Sequence, residues 1–170
     1  MKSFLMFAAV CMVTLSVNAQ RPENAKSPFT ETKGTTASGT AIYISYNAPS
    51  VRGRAIGKDI DPLPGKVWRT GADSATAFEV NKAVKVEGKA LPAGRYALFT
   101  IANGNEWTII FNSDVHKWGA YSYKESADVL RVKVKAGKTK TFQEKLAITV
   151  SKDGKVDILW GDSDVAFKVE

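Results

Sequence analysis

The sequence predicts an all-β protein, an antiparallel β-sandwich of roughly eight to ten strands in one domain, and a jelly roll is one arrangement that fits. Three observations lead there. Short apolar runs recur between turn signals over residues 37–170, at the spacing usual for sandwiches and barrels. Several runs alternate apolar and polar residues strictly, the period of a strand with one wet face. No helical period lasts three turns, and Ser122 to Asp128 offers one helical turn at most.

Each element can be justified in order. Ile42, Ile44 and Tyr46 share one parity, with Tyr43 and Ser45 on the other. Thr76 to Val80 and Ala83 to Glu87 are shorter strands, the second closed by a Glu87-Gly88-Lys89 turn. Leu91-Pro92-Ala93-Gly94-Arg95-Tyr96 sets a turn, and the Tyr96 hydroxyl is placed to close back on it as a tyrosine corner does. Tyr96 to Ile101 and Trp107 to Phe111 flank Ala102-Asn103-Gly104-Asn105-Glu106, a hairpin by its Asn-Gly signal. Both faces of these strands are largely apolar, which suits central strands covered on both sides. Leu130, Val132 and Val134 oppose Arg131, Lys133 and Lys135, so one face there is wet. Leu146, Ile148 and Val150 pair naturally with Val156, Ile158 and Trp160 across Lys152-Asp153-Gly154. Gly161-Asp162-Ser163-Asp164 is expected to turn the chain into a last strand carrying Val165, Phe167 and Val169.

The N-terminus differs from the rest. Lys2 precedes an apolar run from Phe4 to Val13 that is too short to span a bilayer, and Val17-Asn18-Ala19 offers small residues for cleavage. Residues 1–19 therefore read as a secretory signal cut after Ala19, which makes the protein exported, periplasmic or extracellular, and not membrane-spanning. Residues 20–36, polar and with Pro22 and Pro28, read as a flexible lead-in, leaving 37–170 as the sandwich domain.

Composition narrows the function. The chain has 170 residues, enough to bury a core without disulfide or metal. Its one cysteine, Cys11, lies in the leader, so the mature chain has no thiol, and cysteine nucleophiles and thiolate metal sites are excluded. The net charge of +7 falls to +6 without Lys2, and the excess lies between Arg131 and Lys155. Lysines there read as the solvent face of a sheet that discourages edge pairing, and export argues against nucleic acid as a partner. No phosphate loop, nucleophile elbow or His-Glu-x-x-His motif occurs, the aspartate pairs do not continue into a calcium loop, and no cofactor is implied. His116 is the only histidine, so a metal site would need carboxylates alone, and the lone residue reads as a solvated loop histidine.

Three stretches read together carry a resemblance: Tyr46-Asn47-Ala48-Pro49-Ser50-Val51-Arg52-Gly53-Arg54, Gly65-Lys66-Val67-Trp68-Arg69-Thr70-Gly71-Ala72-Asp73 and Leu91-Pro92-Ala93-Gly94-Arg95-Tyr96-Ala97-Leu98-Phe99. With Glu106 to Asn112 and Asp128 to Val132, they resemble the exported bacterial domain-of-unknown-function family 2911 over nearly the whole mature chain. The resemblance implies a single exported domain of a Gram-negative bacterium and no assigned activity. Asp73 stands where the family pattern more often has Asn.

The most site-like segment runs from Arg52 to Asp73, with Arg52, Arg54, Trp68, Arg69 and Asp73 close in sequence. Guanidinium forks bind carboxylate or phosphate bidentately, and an indole face can stack on a sugar or hold the guanidinium. The competing reading pairs Arg54 or Arg69 with Asp59, Asp61 or Asp73 as a clamp on the loop. Trp118, Tyr121 and Tyr123 form an aromatic group that could serve as a sugar platform or pack beneath a loop.

The leading function is a non-catalytic binding or envelope-accessory module for an anionic or sugar-like ligand at the Arg/Trp loop. It requires those guanidinium groups not all to be spent on internal pairs. A structural or protein-interaction domain is the second reading, and it requires an exposed apolar patch. A carboxylate hydrolase is the third, and it requires two acids in one cleft, one with a raised pKa, with Asp73 the first candidate. Ligand identity and oligomeric state are not legible.

Overall fold

Period-two alternation decides which faces are buried. Ile42, Ile44, Tyr46, Phe78, Val80, Leu98, Phe111, Val132, Ile148, Ile158 and Phe167 all enter one core. The computed structural model describes residues 26–115 and 118–170. The leader with Cys11, residues 20–25 of the lead-in, and His116 lie outside the described residues.

Ten strands follow in chain order: β1 (Phe29–Thr35), β2 (Ala41–Asn47), β3 (Val67–Trp68), β4 (Ala72–Val80), β5 (Val84–Val86), β6 (Lys89–Leu91), β7 (Gly94–Asn103), β8 (Glu106–Asn112), β9 (Asp128–Val150) and β10 (Lys155–Lys168). A single 3₁₀ turn, Glu125–Ala127, falls where one helical turn is expected. The main sheet runs β1-β2-β4-β7-β8-β9-β10, β3 adds to β7, and β5 with β6 forms a separate ribbon. Every strand pairing is antiparallel.

The protein is all-β, its large antiparallel sheet curled into a half-barrel. The facing layers are thus parts of one sheet bent over its core. Strand β9 makes this possible. Its first residues pair with β8, and the remainder pairs with β10. Between Leu159 and Ser163 the β9–β10 register shifts at Gly161, whose φ is +59°. A bulge of this kind bends a strand and strengthens its twist.

Three expectations are corrected. Residues 29–35, read as lead-in, form edge strand β1 against β2, because alternate side chains sit half-buried and Thr32 Oγ1 donates to the Ile148 carbonyl at 2.7 Å. The Gly161–Asp164 turn is a bulge inside one continuous β10, because Gly161 takes up the bend while the chain keeps pairing with β9. The β7–β8 loop narrows to Gly104-Asn105, since Asn103 pairs with Glu106, and Gly104 at φ +62° supplies the first turn position.

Other readings hold. Tyr96 donates from its hydroxyl to the Pro92 carbonyl at 2.8 Å, closing the turn as expected. Central β7 and β8 are covered on both sides, with Ala97, Phe99 and Ile110 forming a second buried cluster under Ala120 and Tyr123. Among the described residues, no helix is long and apolar enough to cross a membrane.

Candidate functional site

The chain between β2 and β3 is long, so its backbone must find partners outside regular strands. The Val51 amide bonds the Glu144 carbonyl at 2.8 Å, and the Gly65 amide bonds Ala102 at 2.8 Å. Asp59 Oδ2 accepts the Ala55 amide at 2.9 Å, and Trp160 Nε1 donates to the Asp61 carbonyl at 2.9 Å. These ties lay the loop over the bulge of β10. They leave a cleft of about 360 Å³ between loop and sheet, walled by Arg54, Lys58, Asp61, Leu63 and Arg69, with Trp68 and Trp160 at its base.

The turn after β3 aims Arg69. Trp68 is buried, its rings stacked on Trp160 at 6.4 Å and edge-on to Trp107 at 6.5 Å, and its Nε1 donates to the Gly71 carbonyl at 3.0 Å. Thr70 is wholly buried at φ +56°. That conformation is a genuine outlier for a β-branched residue and costs on the order of 1–3 kcal/mol. It persists because the Thr70 hydroxyl donates to Thr100 Oγ1 at 3.2 Å, while Thr76 Oγ1 donates to the Thr70 carbonyl at 2.8 Å. Gly71 lets the chain pack closely beside it, since a Cβ there would lie 3.0 Å from the Asn47 carbonyl. With Trp68 and Thr70 turned inward, Arg69 is left on the cleft wall.

The two arginines of the cleft differ. Arg54 spends Nε on the Val51 carbonyl at 3.0 Å and Nη2 on the Ser50 carbonyl at 2.7 Å, which immobilises its guanidinium without neutralising it. Arg69 faces Asp61 at 3.7 Å, an ion pair too long for a hydrogen bond, and its Nε is buried with no acceptor. The expected clamp is therefore present, through Arg69 and Asp61, but it does not exhaust the guanidinium donors.

Of the residues singled out from sequence, the fold brings Arg54, Trp68 and Arg69 to this cleft. Trp68 cannot offer a ring face to a sugar, because it is buried against Trp160 and Trp107. Arg52 turns away, its Nη2 donating to the Lys26 carbonyl at 3.2 Å. Asp73 is exposed, and its carbonyl accepts the Gly119 amide at 2.9 Å. Trp118 is 66% exposed over a different hollow of about 420 Å³, shared with Ser74 and Arg95. Tyr121 is 92% exposed and lines neither hollow. Sequence reasoning missed Lys58, which carries no motif, and Trp160, whose strand parity marked it only as core.

Tyr123 belongs to a clamp instead. Its hydroxyl donates to Asp128 Oδ2 at 2.5 Å and accepts from Arg131 Nη2 at 2.5 Å, while Asn112 Nδ2 donates to Asp128 Oδ1 at 2.7 Å. Burial, then the bond to Asp128, pushes its pKa up to about 12, so the phenol stays protonated and holds the β8–β9 connection.

In the Arg54–Arg69 cleft the carboxylates are engaged by the protein itself. In the cleft, Asp59 caps a backbone amide and Asp61 faces Arg69. A carboxyl with a raised pKa, Asp164, lies in another hollow with Asp157. Burial is the main cause and the Asp157 charge the next, while Asp157 itself is paired with Lys155 at 2.5 Å. A raised carboxyl favours the folded state while protonated, and that stability is lost as pH rises through its folded pKa. Asp164→Asn is therefore expected to stabilise the protein at pH 7 by about 1 kcal/mol. The gain should vanish below pH ~4, the ordinary carboxyl range. Urea midpoints of both proteins at the two pH values check this, and an equal gain at both would point to a cause other than ionisation.

Fold and cleft together define an all-β half-barrel with a cationic, indole-floored cleft beside the bulge of its last strand. The chain belongs to DUF2911, a family of proteins of unknown function, whose model matches residues 27–169. No curated protein and no solved structure matches it.

Proposed function

We propose that this protein is an exported, non-catalytic binding module for an anionic or sugar-like ligand seated in the Arg54–Arg69 cleft. One observation carries the reading: Arg69 presents a partly exposed guanidinium on the wall of a cleft of ligand size, held there only by a loose 3.7 Å pair to Asp61. An incoming carboxylate or phosphate would take the terminal guanidinium donors that Asp61 leaves unused. The strained Thr70 backbone supports the same reading, since such strain gathers where a side chain must be aimed. Export is supported by the Lys2, Phe4–Val13 and Ala19 pattern.

The test is a thermal-shift panel of carboxylates, phosphates, sugars and glycan fragments on the purified protein. A ligand at a hundred times its dissociation constant should stabilise the fold by about 2.7 kcal/mol, a shift of several degrees. Arg69→Ala is expected to abolish the shift with the unliganded melting point nearly unchanged. A silent panel on folded protein, or a shift that survives Arg69→Ala, would overturn the assignment.

A protein-interaction domain is the second reading. It is favoured by Phe29 and Trp118, 51% and 66% exposed beside one hollow on the outer face of the sheet. Partner capture that depends on Trp118 and ignores Arg69 would support it.

A further inference from the structure

Arg54 borders more than the first cleft. Beyond it lies a second hollow of about 370 Å³, which shares Arg54 and Trp160 with the first and is bounded by Ile56, Lys138, Phe142 and Asp162. The loop between them is held down where Ile56 meets Gly161. A Cβ on Gly161 would lie 2.5 Å from Ile56 Cδ1, so the Ile56 side chain rests directly on the glycine. The two hollows are therefore successive stations along one surface, divided by a guanidinium that two backbone carbonyls hold still.

The chemistry along that surface repeats. Arg69, Arg54 and Lys138 supply cations in turn. Neither Arg54 nor Lys138 has an acidic partner among the described residues. Each hollow also shows an exposed apolar side chain, Leu63 in the first at 39% and Phe142 in the second at 52%. A free phosphate chain would use the cations but gain nothing from the apolar faces. A chain of acidic sugars uses both, because each pyranose offers a C–H face and an anionic substituent.

Resting on the binding function proposed above, we infer that the ligand is an oligomeric acidic glycan that straddles Arg54, with one sugar unit toward Arg69 and another toward Lys138. Arg54 acts as a rigid central anchor. Lys138 reads whether the ligand continues past one unit, so it sets the preference for a chain over a single sugar. Asp162 is the acid of the second hollow and weakens anion binding there.

Calorimetric titration with galacturonic acid, its linear trimer and linear polyphosphate tests this. Occupying two stations at once is expected to make the trimer bind about tenfold or more tighter than the monomer. Lys138→Ala should weaken the trimer about tenfold and the monomer far less, while Asp162→Asn should tighten the trimer more than the monomer. Arg69→Ala should weaken both. Equal affinities for monomer and trimer, a Lys138→Ala effect of the same size on both, or polyphosphate binding as tightly as the trimer would overturn the oligomeric glycan. Binding of none of the three, with the small-ligand panel also silent, would instead sink the binding function itself.

Discussion

Trp160→Ala is expected to lower stability by about 3–5 kcal/mol, the usual cost of truncating a large buried aromatic. Trp160 is 2% exposed, stacks on Trp68 and reaches the Asp61 carbonyl through Nε1. The truncation opens a cavity under Trp68 and frees the loop that walls the cleft. Against a typical total of 5–15 kcal/mol, that is a large fraction of the fold. The urea midpoint measures it, and a shift no larger than that of a surface variant would refute the packing described here. Trp160→Phe separates the two effects. It keeps most of the volume but loses the bond to Asp61, for about 1 kcal/mol. Faster hydrogen exchange at Gly57 and Gly65, with the strand amides still protected, would show the tether at work.

Gly154→Ala carries the second large effect. Gly154 turns the β9–β10 hairpin at φ +88°, and a Cβ there would lie 2.0 Å from the Val169 carbonyl oxygen. That oxygen is backbone, and Val169 is tied back by its own amide to the Gly154 carbonyl at 2.8 Å. Nothing flexible can give way. Overpacking costs about 1–3 kcal/mol and left-handed strain about 1–2 kcal/mol more. Gly104 is the internal control, with a similar φ of +62° and nothing within 4 Å of its Cβ position. Gly104→Ala should therefore lose only the strain. Equal losses in thermal melts of the two variants would show that the close approach to Val169 is not what holds Gly154.

The two glycines also show where sequence reasoning stops. Both stand in turn signals readable in advance, Asn103-Gly104-Asn105 and Lys152-Asp153-Gly154. Only the fold places Val169 on one and leaves the other in solvent. The same division runs through the cleft. Arg54, Trp68 and Arg69 were legible as a cluster because a long polar connection concentrates them. Trp160, almost a hundred residues away, was legible only as a core strand position, because period two says which face is buried and not what that face meets. Arg52, two residues from Arg54, looked equivalent in sequence and points elsewhere because it sits at φ +51°.

What the chain alone determined is its local order: all-β character, the parities of β2, β7, β8 and β9, the hairpins, the tyrosine corner at Tyr96 and the family. These rest on side-chain period and turn chemistry, which act over a few residues. The tertiary structure decided that one sheet bends over itself at Gly161, that Phe29–Thr35 forms an edge, and that Arg69 faces the cleft with only a loose pair to Asp61. Those outcomes depend on which distant strands meet and on how much backbone is already satisfied when they do, a balance that no local pattern records.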